Sequence, residues 1–191
     1  MRYRRKRIST PKTVAIVVVV LAIAFGIFYV WSHLSTSSLK EGDIVFQMSQ
    51  SEQSDLVSTA TRSPWTHCGV IVEKGGAIYV LEAANVVKLT PFDEWKAKGK
   101  YEVVWHKRVV SKTVKLKYKD FLGIPYDNMF KLNNGRYYCS ELVYFVFKNQ
   151  FNIELCKPRP INTLKLTDEV NKELKKRGID PEQKVIPPCD L

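Results

Sequence analysis

The chain has 191 residues, enough for one domain with a full hydrophobic core and a short appendage. Its 30 Lys and Arg residues and 19 Asp and Glu residues give a net charge of +11, but six of the basic residues lie within the first twelve positions. The modest basic surplus that remains comes without a basic-aromatic recognition motif. Composition therefore gives no reason to expect a nucleic-acid partner.

An uncharged apolar stretch follows the basic tail at 1–12. Residues 13–31 read TVAIVVVVLAIAFGIFYVW, which at about 1.5 Å per residue just crosses a hydrocarbon core of about 30 Å. The basic flank predicts a single-pass anchor in the inner (cytoplasmic) membrane, followed by a linker at 32–40 and a domain on the periplasmic, extracytoplasmic side. A cleaved signal peptide is the alternative, disfavoured by the length of the span and by the poor cleavage site after it.

The first half of the predicted hydrolase domain at 41–191 reads as a small antiparallel sheet. Strands are predicted at 44–47, 67–72, 78–83 and 101–110, with a short helix or lid-like loop at 51–60 and a helical turn at 91–98. The sequence KGGA at 74–77 predicts a hairpin in which Lys74 pairs with Ala77. In that register His67 and Glu82 share one face as diagonal neighbours, and Cys68 points to the opposite, packed side.

The second half contains a helix that begins at a cysteine. Apolar residues at 142, 143, 146 and 147 have the spacing of a helix with a buried face, which places Cys139 in its first turn. The helix dipole and unpaired N–H groups there favour a thiolate. Further helices are predicted at 113–122 and 164–177. The fold class is therefore α+β, with an antiparallel sheet followed by the Cys139 helix.

Five short motifs together resemble the NlpC/P60 superfamily of papain-like cysteine peptidases and amidases, in its circularly permuted YiiX/YaeF-like branch. They are GDIVF at 42–46, HCGVI at 67–71, LEA at 81–83, GIPYD at 123–127 and YCSEL at 138–142. The histidine precedes the cysteine, as in the permuted branch. The resemblance implies a permuted papain-like fold, in which a small antiparallel sheet or partial barrel packs on the cysteine-bearing helix, here preceded by the single predicted transmembrane helix.

The motifs and the hairpin register predict a catalytic triad of Cys139, His67 and Glu82. Cys139 would attack a carbonyl carbon as a thiolate, His67 would take and return the proton, and Glu82 would orient the imidazole. The backbone N–H of Cys139 is the expected oxyanion donor, and the hydroxyl of Tyr126 or of Tyr138 is a further candidate. No cofactor or metal is predicted, because no closely spaced pair of zinc ligands accompanies these residues.

The predicted function is a membrane-anchored cysteine hydrolase that cleaves an amide bond in the bacterial cell envelope through a thioester. The substrate stays open between a peptidoglycan peptide and an acyl-lipid amide or ester, because Tyr138 replaces the aspartate of ordinary members. The alternatives are an acyltransferase or esterase of the lecithin:retinol acyltransferase type and a non-catalytic envelope-binding module. Cys156 and Cys189 are either bridged, closing a loop of about 33 residues, or two free thiols.

Overall fold

The computed structural model describes residues 39–191 except residue 52, together with Ile16 and Val19, which are helical. From residue 40 onwards the chain forms one compact unit. Its strands are β1 (Ile44–Ser49), β2 (His67–Lys74), β3 (Ala77–Ala83), β4 (Val87–Pro91), β5 (Gly99–Lys107), β6 (Arg159–Pro160) and β7 (Lys184–Val185). Its α-helices are α1 (Ser54–Thr61), α2 (Phe92–Ala97), α3 (Cys139–Phe151) and α4 (Asp168–Arg177).

The transmembrane helix in the predicted fold class is corrected by the structure. In the described part of the chain, no helix combines the length and the apolar character needed to cross a membrane. The longest described helix, α3, has 13 residues, or about 20 Å, against a hydrocarbon core of about 30 Å. Apart from Ile16 and Val19, the predicted span at 13–31 lies outside the described residues, as do the predicted tail and most of the linker.

The sheet confirms the antiparallel α+β arrangement. Five strands are ordered β4-β3-β2-β1-β5, and each pairs antiparallel with its neighbours. The predicted hairpin is confirmed, since Lys74 pairs with Ala77 and Val70 with Leu81. Gly75 and Gly76 make the turn with φ of +60° and +79°, a region that glycine enters without steric cost. A separate two-stranded ribbon joins β6 to β7.

The main core lies between one face of the sheet and α3. Even-numbered residues of β2, including Cys68 and Val70, belong to the same buried cluster as Leu142 and Val143 of the helix. Each fully buried residue of this size contributes about 1.5–3 kcal/mol through burial. The opposite face of β2 begins with His67, whose ring lies 6.0 Å from the buried indole of Trp95 in α2. The two faces of β2 therefore carry different chemistry.

The predicted helix at 113–122 is wrong, because only Tyr118–Phe121 forms a short 3-10 helix there. The buried carboxylate of Glu41 accepts a hydrogen bond from the backbone N–H of Leu116 at 2.7 Å and pairs with Lys115 Nζ at 2.6 Å. This contact from 75 residues away holds the segment extended, and local sequence does not reveal it. The predicted helix at 164–177 begins later, at Asp168, where the side chain of Thr167 caps it.

All four cysteines are free thiols. Cys156 is half-buried and Cys189 is exposed, and the bridge considered between them is not formed in this structure. Burial is the largest cause that raises the pKa of each of these two thiols to about 11. Both therefore stay protonated at neutral pH and are poor nucleophiles, because the thiolate is the reactive form.

Candidate active site

The first half of the site is a histidine held by a buried carboxylate. His67 begins β2 and Glu82 lies near the end of β3, and His67 Nε2 is 2.7 Å from Glu82 Oε2. The second carboxylate oxygen, Oε1, accepts a hydrogen bond of 2.6 Å from the hydroxyl of Thr90 in β4. Glu82 is only 2 % exposed, so both of its oxygens need these partners. The orientation of the imidazole is therefore fixed by three neighbouring strands.

Gly69 allows β2 and β3 to approach closely beside this pair. A Cβ atom at position 69 would lie 2.7 Å from the carbonyl oxygen of Leu81 and would also meet the side chain of Val80. Because Leu81 precedes Glu82, any shift of β3 to accommodate a larger residue would move the carboxylate relative to His67. The glycine therefore serves the geometry of the pair.

The second half of the site is Cys139, the first residue of α3. The loop before it is organised by buried Asp127, whose carboxylate accepts hydrogen bonds from Met129 N, Lys131 N and Asn134 Nδ2 at 2.9, 2.6 and 3.0 Å. Glu141, also in the first turn of α3 and fully buried, accepts a hydrogen bond from Asn133 N at 3.3 Å. These contacts set the point at which the helix begins, which places the thiol at its N-terminus.

The thiol of Cys139 contacts both His67 and the neighbouring thiol of Cys68. The pKa of Cys139 is held well below its usual value, chiefly by a hydrogen bond from the side chain of Cys68 and, against the opposing effect of burial, by His67. Burial and the same contact raise the pKa of Cys68, so Cys68 keeps its proton and acts as the donor. The structure thus favours a thiolate at Cys139 and a thiol at Cys68.

His67 is the counter-charge of this thiolate. Burial alone would lower the pKa of His67, but hydrogen bonds with Cys139 and Glu82 outweigh it and raise the pKa to about 10. Burial opposes ionisation of Glu82 in the same way, and the hydrogen bond from His67 reverses the effect and lowers the pKa of Glu82. Since Nε2 is occupied by Glu82, the other ring nitrogen, Nδ1, remains for Cys139. The directions of these pKa shifts favour a thiolate at Cys139 and an imidazolium at His67, next to the carboxylate of Glu82.

The two tyrosines considered for the oxyanion site have different surroundings. The hydroxyl oxygen of Tyr138 accepts a hydrogen bond of 2.8 Å from Ile186 N, which ties it to the segment after β7. Tyr126 lines the same cavity as Cys139, and burial, followed by the negative charge of Cys139, raises the pKa of its hydroxyl. A protonated hydroxyl beside the thiolate is a suitable donor. Both tyrosines line the cavity beside Cys139, and the bond from Ile186 N distinguishes Tyr138 from Tyr126.

A cavity of about 140 Å³ opens beside Cys139 and is mostly apolar. Its walls come from α1, α4 and the segment around Ile186, and they include Leu56, Val57, Ala60 and Leu174. Of the described residues that line it, only Glu173 and Arg177 are charged, and they pair with each other at 2.8 Å. The cavity can accept an apolar group next to the thiol.

The structure brings together Cys139, His67 and Glu82, and it places both Tyr126 and Tyr138 in the wall of the cavity beside Cys139, with the hydroxyl of Tyr138 bound to Ile186 N. Sequence reasoning missed two partners of the site. Alternation along β2 correctly placed Cys68 on the packed side, but this side faces the N-terminus of α3, so Cys68 reaches the thiol of Cys139. Thr90 was missed because β4 was not predicted, and its short sequence VKLTP carries only a weak strand signal.

A cysteine in the first turn of a helix, facing a strand histidine that a carboxylate orients, is the arrangement of the papain-like cysteine enzymes. Residues 38–187 match a family model described as permuted papain-like amidase enzyme, YaeF/YiiX, C92 family. The chain belongs to this family, and the predicted resemblance to the permuted YiiX/YaeF-like enzymes is confirmed.

Two relatives are similar over most of the chain. The protein YiiX of Escherichia coli (strain K12) is 36 % identical over 162 residues, which cover 77 % of this chain and 78 % of that protein. A crystal structure described as metalloprotein yiiX from Escherichia coli O157:H7 superposes with a TM-score of 0.73 at 31 % identity, covering 79 % of this chain and 90 % of the other. The fold and the order of its elements are thus shared.

The word metalloprotein in the description of that relative calls for a test of the site against a metal ion. Cys139, His67 and Glu82 are zinc-ligand types, but His67 Nε2 and both carboxylate oxygens of Glu82 are engaged with each other and with Thr90. Among the described residues, no three His, Cys, Asp or Glu side chains are grouped as metal ligands. The arrangement of these residues does not fit a metal ion.

Proposed function

We propose that this protein is a cysteine amidase that cleaves an amide bond of a cell-envelope substrate through a thioester on Cys139. The observation that supports the proposal is the buried Glu82 carboxylate, hydrogen-bonded to Thr90 and to His67, with Cys139 close enough to His67 for the pKa of its thiol to be lowered. A purely structural role for these residues would require neither a lowered thiol pKa at Cys139 nor a cavity beside it. Perturbed pKa values in a cleft are typical of functional sites.

The reaction begins with attack of the Cys139 thiolate on the amide carbonyl carbon, which places negative charge on the carbonyl oxygen. The imidazolium of His67 then donates its proton to the leaving nitrogen, the C–N bond breaks and the amine departs, leaving an acyl-thioester. Neutral His67 next takes a proton from water, whose oxygen attacks the thioester carbon. The acid is released and the thiolate–imidazolium pair is restored. Glu82 holds the imidazole and balances its charge throughout.

The negative oxygen of each tetrahedral intermediate requires hydrogen-bond donors. The N–H groups in the first turn of α3 have no partner within the helix, and that of Cys139 is the nearest to the reacting carbon. The hydroxyl of Tyr126, which lines the same cavity, supplies a second donor. Such a pair of donors is the usual device for acyl transfer.

The apolar cavity favours an acyl amide over a peptidoglycan peptide as the substrate. Peptidoglycan stem peptides carry carboxylates and ammonium groups, and the only described charges in the cavity wall, on Glu173 and Arg177, already neutralise each other. An alkyl chain, in contrast, gains about 0.8 kcal/mol for each methylene removed from water. Transfer of the acyl group to an acceptor other than water would make the protein an acyltransferase with the same thioester.

Turnover of two labelled substrates tests this proposal: an N-lauroyl amino acid amide and a muropeptide. We expect release of lauric acid, and trapping at low pH should show a lauroyl adduct on the Cys139 peptide by mass spectrometry. Cys139→Ala and His67→Ala should abolish turnover with the fold intact, although His67→Ala should also lower the melting temperature because it leaves buried Glu82 without its partner. Glu82→Gln should retain part of the activity, since the amide still orients the ring. Cys156→Ala removes an equivalent thiol outside the site and should be fully active.

Three results would contradict the assignment. Wild-type turnover by Cys139→Ala would exclude the thioester route. Cleavage of the muropeptide but not of the lauroyl amide would replace the acyl substrate by a peptide. Binding of either ligand without turnover by the wild-type protein would support a non-catalytic module.

A further inference from the structure

A second cavity of about 230 Å³ adjoins the catalytic one, and its character is the opposite. The two cavities share three residues of their walls, Ala60, Thr61 and Leu164. The rest of the second wall is polar or basic and comes from Arg62, Arg159, Thr163 and Lys165. We call these four residues the basic pocket. The shared residues place the two cavities next to each other at the C-terminal end of α1.

The charges of the basic pocket are not balanced from within. None of the described residues that line it carries a carboxylate. Arg159 is bound through Nε and Nη2 to Asp190 at 2.6 and 3.1 Å, and its third nitrogen, Nη1, lies 3.4 Å from the hydroxyl of Thr163. Arg62 and Lys165 form no ion pair with any described residue. The polar cavity is thus lined by two cations without an ion pair, Arg62 and Lys165, and by the guanidinium of Arg159, which is paired with Asp190.

The positions of these groups are set by the backbone. Arg62 caps the C-terminus of α1 in the left-handed conformation, with φ of +55°. The backbone N–H of Lys165 donates a hydrogen bond of 2.9 Å to the carbonyl oxygen of Ala60, which attaches its segment to the same end of α1. Arg159 is fixed by its two bonds to Asp190. Three separate contacts therefore hold the chain around the pocket, and the side chains of Arg62, Thr163 and Lys165 are exposed to solvent.

Helix α1 connects the two environments. Leu56, Val57 and Ala60 line the catalytic cavity, and Ala60 also lines the basic pocket. At a rise of about 1.5 Å per residue, Leu56 and Ala60 are separated by about 6 Å along the helix. An alkyl chain of moderate length lying on this face would therefore have one end near the basic pocket.

We propose that the basic pocket binds the anionic group of an amphiphilic substrate, a phosphate oxyanion, while the apolar part lies in the catalytic cavity. The inference rests on the proposed function, because it assigns the other end of the same substrate. Arginine and lysine donors together with a threonine hydroxyl suit a tetrahedral oxyanion, which has several acceptor oxygens. The anionic group then lies at the end of the apolar chain away from the reacting amide, beside the C-terminal end of α1.

Isothermal titration calorimetry on the full chain carrying Cys139→Ala tests this, because binding is measured without turnover. The three probes are decyl phosphate, 1-decanol and inorganic phosphate. We expect decyl phosphate to bind about tenfold tighter than 1-decanol, and Arg62→Gln with Lys165→Gln to erase that difference. Inorganic phosphate should bind more weakly than decyl phosphate, because it lacks the apolar part.

Lys74→Gln with Lys119→Gln is the matched control, since it removes the same charge from exposed positions outside both cavities and should leave the affinity for decyl phosphate unchanged. Equal binding of decyl phosphate and 1-decanol would overturn the proposal. Inorganic phosphate binding as tightly as decyl phosphate would overturn it too, because it would indicate a site for free phosphate. If the Arg62→Gln, Lys165→Gln variant has a lowered melting temperature, the salt dependence of binding to the Cys139→Ala protein is measured instead. Added salt should weaken the binding of decyl phosphate but not of 1-decanol, and an equal effect on both would refute the inference.

A failure of these measurements is distinct from a failure of the amidase proposal. Cys139→Ala cannot turn over either ligand, so the binding result is independent of the thioester chemistry. If the wild-type protein is an active amidase but decyl phosphate and 1-decanol bind equally, the proposed function stands and only the proposed role of the basic pocket fails. Tenfold preference for decyl phosphate in a protein without amidase activity would leave the basic pocket in place and remove the proposed reaction.

Discussion

Replacing Cys68 by alanine tests whether the second thiol activates the first. Cys68 is fully buried beneath Cys139 and donates a hydrogen bond that is the largest cause lowering the pKa of Cys139. A hydrogen bond to a charged acceptor contributes about 1.5–3 kcal/mol, and because a thiol is a weak donor we take about 1.5 kcal/mol, or about a tenfold change in the thiolate population. At pH values below the pKa of Cys139, we therefore expect Cys68→Ala to slow the alkylation of Cys139 about tenfold.

The rate of alkylation by iodoacetamide is measured against pH, with mass spectrometry of the Cys139 peptide to separate it from the other thiols. Cys68→Ser should alkylate as the wild type, because its hydroxyl can still donate a hydrogen bond. Cys156→Ala, a matched loss of a thiol away from the site, should also follow the wild-type profile. Superimposable profiles for Cys68→Ala and wild type would refute the role of Cys68, even if Cys68→Ala lowered the melting temperature.

Three further outcomes can be measured. Tyr126→Phe should lower kcat on the lauroyl amide about tenfold to a hundredfold without changing the melting temperature. Tyr138→Phe should instead lower the free energy of unfolding by about 1 kcal/mol, because the hydrogen bond from Ile186 N is lost, and its kcat should stay near the wild-type value. A loss of kcat in Tyr138→Phe together with a loss of stability in Tyr126→Phe would assign the oxyanion role to Tyr138. The free energy of unfolding, measured by urea titration, should fall as pH rises from about 8.5 to about 10. In this range the unfolded chain has lost its thiol protons, whereas the folded protein still holds protons on His67 and on Cys68, Cys156 and Cys189. The slope should be smaller by about one proton in His67→Gln, and a wild-type slope in that variant would contradict the ion pair. Gly69→Ala should destabilise the protein by about 1–3 kcal/mol through overpacking against Leu81, and an unchanged urea midpoint would show that β3 moves freely.

The catalytic hairpin was predictable because local rules determine it. The Gly75–Gly76 turn sets the register of β2 and β3, and strand alternation then brings His67 and Glu82 to one face. Likewise, the spacing of apolar residues after Cys139 suffices to locate α3. In both cases the residues that decide the structure lie within 15 positions of one another.

The parts that sequence reasoning missed depend on distant contacts. The segment around Leu116 is held extended by Glu41, and the hydroxyl of Tyr138 is engaged by Ile186, 48 positions away. Cys68 was placed on the correct side of β2, but the approach of α3 decides whether that side is inert or catalytic. The choice between Tyr126 and Tyr138 likewise needed the fold, because both are tyrosines close to the cysteine helix.

The permuted order of the chain affects when the protein becomes reactive during its own synthesis. The histidine and its carboxylate are 15 positions apart on one hairpin, whereas the nucleophile follows about 60 positions later, and its helix is fastened by Ser140 and Tyr138 to Ile186. A nascent chain emerging from the ribosome can therefore complete the proton-transfer half of the site while it still lacks the nucleophile. The helix is fastened only once the segment around Ile186 has also emerged, so the thiol reaches its final surroundings in a fold in which it is already buried.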